Sequence, residues 1–352
     1  MNGKIKLSHT FEDIICLDNL LLAWQEFVRG KRGRKDAQEF QLRLMDNLIA
    51  LHRYLATGVY RHGGYQAFKI CDPKPRQIHK ASVRDRLVHH AIYRILYPFF
   101  DRTFIADSYS CRLGKGTHKA LARFREFAYA ASKNNTRTCW ILKGDIRKFF
   151  ANIDHRILKE ILAEYIPDKS ILGLLDEVID SFDNIEDNLD SRLRGNDKRE
   201  SGNNGGGRGL PLGNLTSQLL VNIYMNKFDQ FVKHKLQVKH YIRYADDFVI
   251  MADDKEYLEN IIPIIDEYLR DKMKLMLHPD KLFIKTLNSG LDFLGWVTFF
   301  DHRVFRTTSK RRMFRRVRGN HSLETINSYL GLLSHGQSYK LQRKIANLAY
   351  TC

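Results

Sequence analysis

Between residues 36 and 57 (DAQEFQLRLMDNLIALHRYLAT) the apolar positions Phe40, Leu44, Leu48 and Leu51 fall on one stripe at helical spacing, and Gly58 ends the run. That pattern predicts a helix buried on one face. A second helix is predicted over 82–97, where Ser82 gives a polar start, the 3.6-residue repeat follows and Pro98 gives a stop. Further helices are predicted from about 215 to 236 and over 255–272. HYIRYADDFVIMADD places two short apolar segments around Asp246 and Asp247, the pattern of a β-hairpin, and LDFLGWVTFF (291–300) predicts a strand. Helices and strands interleave along the chain and a basic helical tail follows, so the expected fold class is α+β.

Two stretches interrupt the periodicity. From Asp176 to Asp190 there are seven acidic residues and no basic ones, and residues 191–209 hold six glycines and few apolar side chains. They predict a flexible insertion, about 183–209, looping out of a domain. RGKRGRK, residues 29–35, is either a solvated loop or one that contacts phosphate.

Composition narrows the class. With 43% hydrophobic and 28% charged residues in 352, the chain has the make-up of a globular protein and not of a disordered one. Fifty-eight Lys and Arg against forty Asp and Glu leave +18, which points to a polyanionic partner such as nucleic acid. No apolar run approaches the roughly 20 residues that span a bilayer, and the N-terminus lacks the order of a signal peptide; a cytoplasmic protein with no membrane partner is expected. Cys16, Cys71, Cys111, Cys139 and Cys352 are scattered and never in CxxC, so neither a disulfide framework nor a zinc site is indicated.

The sharpest chemical feature is Tyr244-Ala245-Asp246-Asp247. Hairpin turns favour Asn-Gly or Asp-Gly, and adjacent carboxylates among Ile, Val and Phe cost energy unless a cation offsets them. A divalent metal supplies a reason for them; a solvated surface turn is the bland alternative. Upstream, Asp145 ends the apolar run of WILKGD and precedes Phe149 and Phe150. One aspartate ending a strand and two on a hairpin turn suit a two-metal phosphoryl-transfer site, and hard oxygen ligands favour Mg²⁺.

These segments, in order, resemble reverse transcriptases. KPRQIHKASVRDRLVHHAI (74–92) is similar to the fingers motif, KGDIRKFFANIDH (143–155) to the palm motif with the first catalytic aspartate, and GLPLGNLTSQLLVNIYMNKFD (209–229) to the helix motif between them and the catalytic hairpin. YADD resembles that hairpin, LHPDK (277–281) the segment after it, and FLGW (293–296) the primer-grip hairpin. The resemblance implies a right-hand polymerase fold: N-terminal helices and fingers over 1–138, palm over 139–300, and a short basic helical thumb over 301–352. Most members have Gln where this chain has Leu212, and Ser-Pro where it has Ser217-Gln218. The pattern L-G-x-x-x-S-Q resembles the enzymes of diversity-generating retroelements, which copy a template RNA with errors at adenines.

By that resemblance Asp145, Asp246 and Asp247, helped by the Ile146 carbonyl, hold two Mg²⁺ ions that serve the 3′-hydroxyl and the leaving pyrophosphate. Arg76 grips the incoming dNTP triphosphate, with Lys69 or Lys74 as partner, although each is also readable as a solvated charge. Phe150 matches the ring that excludes a ribose 2′-hydroxyl, or is plain core, while Leu212 and Gln218 line the nucleotide. Lys281 is either a proton donor to pyrophosphate or an exposed turn lysine. Between Arg303 and Arg318 eight basic residues occur with no acid, and Arg311, Arg312, Arg315 and Arg316 are expected to bind template–primer phosphates unless the face merely solubilises. Template RNA, its cDNA and a small basic accessory protein are the implied partners. A group II-like or phage-defence reverse transcriptase, or an idle RNA-binding homologue, are the alternatives.

Overall fold

The computed structural model describes residues 5–71, 75–182, 207–319 and 322–349. Lys74, Cys352 and all but the edges of the predicted insertion lie outside the described residues. The chain forms two compact units, each assembled from separated segments.

The first comprises Met1–Ile105, Arg147–Gln230 and Tyr268–Met276. Its central helix, Val83–Asp101, buries Leu87, Val88, Ala91, Ile92 and Leu96 and packs against the helices Leu17–Phe27 and Leu215–Gln230. Pro98 does not stop it. The proline removes one main-chain bond, but Tyr97, Phe99 and Phe100 are all buried and hold the last turn in place. The single helix predicted over 36–57 is two, Lys35–Leu42 and Leu44–Ala56, because Arg43 leaves helical backbone at φ −125° and ψ 43°. The buried stripe is then Leu48, Leu51 and Leu55, while Phe40 stacks on Trp24 with ring centroids 5.0 Å apart. The helix predicted to 236 is α-helical only to Gln230, and a π turn, Phe231–Lys235, continues it.

The same unit carries a two-stranded antiparallel hairpin, β1 (Gln66–Ile70) and β2 (Arg76–Lys80). The loop before Leu215 joins it: the His79 N–H donates to the Leu212 carbonyl at 3.0 Å. Gly213, at φ +109°, sits where a Cβ would lie 2.8 Å from Ile78 Cγ2, so both the turn and the close approach require glycine.

The second unit comprises Ala106–Ile146, Phe231–Glu267 and Leu277–Cys352. Its main sheet contains β3 (Trp140–Asp145), β4 (His240–Tyr244), β5 (Asp247–Ala252) and β6 (Phe283–Thr286), antiparallel in the order β4-β5-β3-β6. Helix Thr117–Ala131 covers one face, burying Leu121, Phe124 and Ala128 with Ile141, Ile242 and Val249. The apolar run over 291–300, predicted as one strand, is a hairpin, as the resemblance of FLGW implies: β7 (Leu291–Phe293) and β8 (Trp296–Thr298), with β9 (Arg303–Phe305) beside it. Leu294 and Gly295, at φ 52° and 87°, make the tight turn that an uninterrupted apolar run conceals. Three helices follow, Thr307–Gly319, Leu323–Leu333 and Tyr339–Ala349, which share a core of Met313, Val317, Ile326, Leu333 and Ile345. Among the described residues no helix is long and apolar enough to cross a membrane.

Candidate active site

Register assembles the carboxylates. Asp145 is the last residue of β3 and lies opposite Asp247, the first residue of β5. Directly opposed residues share a face, so both point the same way, and Lys143 shares that face two residues back. The turn itself is Ala245-Asp246, not Asp246-Asp247, since Tyr244 pairs with Asp247. Ala245 takes φ 56°, and the Asp246 carbonyl accepts from the Ile146 N–H at 3.3 Å, tying the turn to the chain just past Asp145. All three aspartates and Ile146 therefore sit at one end of one sheet.

Two lysines answer these charges. Lys281 donates from Nζ to Asp145 Oδ1 at 2.7 Å, and the His278 N–H donates to the Asp145 carbonyl at 2.8 Å. Lys143 lies 3.7 Å from Asp247 Oδ1 and donates to the Asp292 carbonyl at 3.0 Å. Asp145 is only 5% exposed. Burial pushes the Asp247 carboxyl up to about 6; Lys143 opposes this, and the negative charges of Asp246 and Asp145 add to it.

That perturbation has a sign. Because the native pKa exceeds the unfolded one, the native state binds more protons through the window from about pH 4 to 6, and stability falls as pH rises across it, by up to about 3 kcal/mol. Asp247→Asn is therefore expected to melt above wild type at pH 7.5 with EDTA present, and level with it near pH 4. A gap of the same size at both pH values would show that the carboxyl is not the cause.

Among the described residues no three His, Cys, Asp or Glu side chains close around a point as a finished metal cage. The donor chemistry nevertheless fits a hard divalent cation: three carboxylates and a main-chain carbonyl at one sheet end, with Asp247 held protonatable by burial beside two like charges. Asp145, Asp246, Asp247 and the Ile146 carbonyl are the atoms that would hold it.

The remaining candidates divide between the units. In the first, Arg76 opens β2, exposed, opposite Ile70, while Lys69 on β1 lies opposite Gln77, so the two cations point to opposite faces of that hairpin. Phe149 is buried at 4% but Phe150 only partly, on a short 3-10 helix, Phe149–Asn152. The Leu210 N–H donates to the Phe150 carbonyl at 2.8 Å, so Phe150 and the loop bearing Leu212 are neighbours. Leu212 and Gln218 are partly buried and Ser217 is buried. In the second unit the four arginines lie on the side of helix Thr307–Gly319 away from the inward-turned Met313 and Val317. Arg311, Arg315 and Arg316 are exposed and Arg312 is partly buried, and Arg312 and Arg316 line a cleft of about 790 Å³ with His118, Glu324, Tyr329 and His335.

Lys143, Gly144 and Arg243 lie beside the carboxylates or their turn, and none of them was expected individually from the sequence. Lys143 had a signal, its i,i−2 spacing from Asp145 in a strand. So did Arg243, an arginine inside the otherwise apolar strand HYIRY.

The family described as Reverse transcriptase (RNA-dependent DNA polymerase) matches residues 71–298. Protein YkfC of Escherichia coli K12 is 27% identical over 306 residues, covering 77% of this chain and 74% of its own. Group II intron-encoded protein LtrA of Lactococcus lactis is 24% identical over 325 residues, 74% of this chain; the chain spans about half of LtrA, 49%. The solved telomerase of Candida albicans, in complex with a fragment of telomeric RNA, is 13% identical at a TM-score of 0.49, covering 83% of this chain and 56% of that one.

Proposed function

The chain belongs to the reverse transcriptase (RNA-dependent DNA polymerase) family, and from that premise we propose that it copies a template RNA into cDNA with low fidelity, as the polymerase of a diversity-generating retroelement. The observation that carries the polymerase reading is the placement of Asp145, Asp246 and Asp247 at one sheet end. It also speaks against an idle RNA-binding homologue, which has no use for three crowded carboxylates. When bound, a pair of Mg²⁺ ions supplies Lewis acidity to the attacking 3′-hydroxyl and the departing pyrophosphate. The aspartates orient that pair, Lys281 neutralises Asp145 and stands ready as a proton donor to pyrophosphate, and Arg311, Arg312, Arg315 and Arg316 hold template–primer phosphates. Arg76 grips the dNTP triphosphate through charge-assisted bonds, with Lys74 as its partner in place of Lys69, which points to the other face of the hairpin.

Phe150 serves as the sugar gate in this reading, since it is the less buried of two adjacent phenylalanines. Phe150→Ala is expected to admit ribonucleotides; unchanged discrimination between rNTPs and dNTPs would return the ring to a packing role.

The subtype rests on Leu212 and on Gln218 following Ser217. A glutamine amide at 212 can hydrogen-bond around the incoming nucleotide, whereas leucine only packs. Losing one polar constraint narrows the gap between a correct pair and a near fit, and about 1.4 kcal/mol is already tenfold in misincorporation. With template RNA and a small basic accessory protein, sequenced cDNA is expected to carry errors mainly opposite adenine, and Leu212→Gln to reduce them. Uniformly low error would favour the second reading, a group II-like enzyme, which the similarity to LtrA supports.

A further inference from the structure

Arg243 is 1% exposed, a long charged side chain inside the sheet that carries the site. It lies opposite Phe248 on the face away from the aspartates. One guanidinium nitrogen, Nη1, donates to the Ala245 carbonyl at 3.0 Å, and the other, Nη2, donates to Ser108 Oγ at 3.0 Å. Ser108 is wholly buried, and its neighbours pair with the Arg243 backbone: Arg243 N–H donates to the Asp107 carbonyl and Tyr109 N–H donates to the Arg243 carbonyl, both at 3.0 Å. Asp107 is itself held by Arg123 Nε at 2.9 Å and the Tyr109 hydroxyl at 3.1 Å. The arginine thus runs from a fixed anchor to the catalytic turn.

The turn needs such a hold. Ala245 is left-handed at φ 56°, a conformation that alanine seldom takes unless its surroundings impose it. Asp246 follows directly, and its own carbonyl is bonded to Ile146 N–H. With the Ala245 carbonyl held by Arg243, the peptide groups on both sides of Asp246 are fixed, and with them the direction in which its side chain leaves the turn. A planar fork with two separated donors can serve Ala245 and Ser108 together, which a lysine, a compact point charge, cannot.

We propose that Arg243 is a positioning residue for the catalytic turn: bridging Ser108 and Ala245, it sets the orientation of Asp246 and so the affinity of the site for divalent metal. This rests on the polymerase reading and deepens it. The test uses the full chain with Arg243→Lys, Arg243→Met, Arg243→Ala and Ser108→Ala, read by primer extension, by Mn²⁺ titration followed by electron paramagnetic resonance, and by melting. For Arg243→Lys and Arg243→Met the expected loss in kcat approaches roughly a hundredfold, the cost of a misplacement near 1 Å, with dNTP KM little changed. Mn²⁺ should bind about tenfold more weakly by the same loss of orientation, and millimolar guanidinium should restore part of the Arg243→Ala rate. Ser108→Ala, which removes only the anchor, should show both defects more mildly and lower the melting temperature less than the arginine variants do. If the arginine variants do not fold, Ser108→Ala decides alone. Wild-type kcat and Mn²⁺ affinity in folded variants would overturn the proposal. If the wild-type protein makes no DNA, the polymerase reading fails, and Mn²⁺ affinity still decides whether Arg243 positions the turn.

Discussion

Asp246→Asn is expected to abolish DNA synthesis, lowering it by roughly a thousandfold or more, while leaving RNA affinity close to wild type. The asparagine keeps the size and the turn but removes one of the negative charges on which metal binding depends. If that charge supplies about 4 kcal/mol to the transition state, the rate falls by about three powers of ten. Asp145→Ala should match it and would also release Lys281, which donates to Asp145 at 2.7 Å. RNA affinity is expected to rest on a different set of groups, the basic surface of a chain with net charge +18. Primer extension and filter binding on the same preparations check both halves. Near-wild-type synthesis by either variant would remove the carboxylates from the chemistry.

The second large effect concerns Gly144, which lies between Lys143 and Asp145 on β3 and opposite Phe248 on β5. A Cβ at this position would sit 2.3 Å from Phe248 Cζ and 2.6 Å from Cε1, and that ring is wholly buried. The ring therefore lies across the glycine, and nothing larger fits without moving the strand. Gly144→Ala should cost at least the roughly 1–3 kcal/mol typical of overpacking, each kcal/mol lowering the melting temperature by about 2–4 °C. Because the strand displaced carries Asp145 opposite Asp247, activity should drop about a hundredfold even below the melting range. Phe248→Leu in the same chain ought to recover part of both losses. A Gly144→Ala protein with wild-type melting and rate would mean that the ring moves aside freely.

Much of the site was legible in the sequence because its signals are local. YADD between two β-rich segments marks a hairpin, and WILKGD marks a strand ending in a carboxylate; the pairing of Asp145 with Asp247 then follows from their shared sheet. Lys281 was legible only as a candidate, because its contact with Asp145 spans 136 residues of sequence. What escaped depends on neighbours brought together by folding. Pro98 looked like a helix stop, but the burial of Tyr97, Phe99 and Phe100 outweighs one lost main-chain bond. By periodicity LDFLGWVTFF reads as one strand, because its turn is made by Leu294 and Gly295 and leucine gives no turn signal; the resemblance of FLGW alone pointed to a hairpin. That Arg312 and Arg316 line a cleft with Glu324 and Tyr329 was not legible, because those partners come from the next helix. Arg243 was visible as an oddity within HYIRY, but its reason lies in Ser108 and Ala245.

The most direct measurement is RNA-templated primer extension by the purified wild-type chain with Mg²⁺ and the four dNTPs, run beside Asp246→Asn under conditions where both bind the template equally. Full-length cDNA from wild type, none from the variant, and loss of the wild-type product on chelation is the predicted result. Incorporation by the wild-type chain no greater than that of Asp246→Asn, with RNA binding intact in both, would contradict the account.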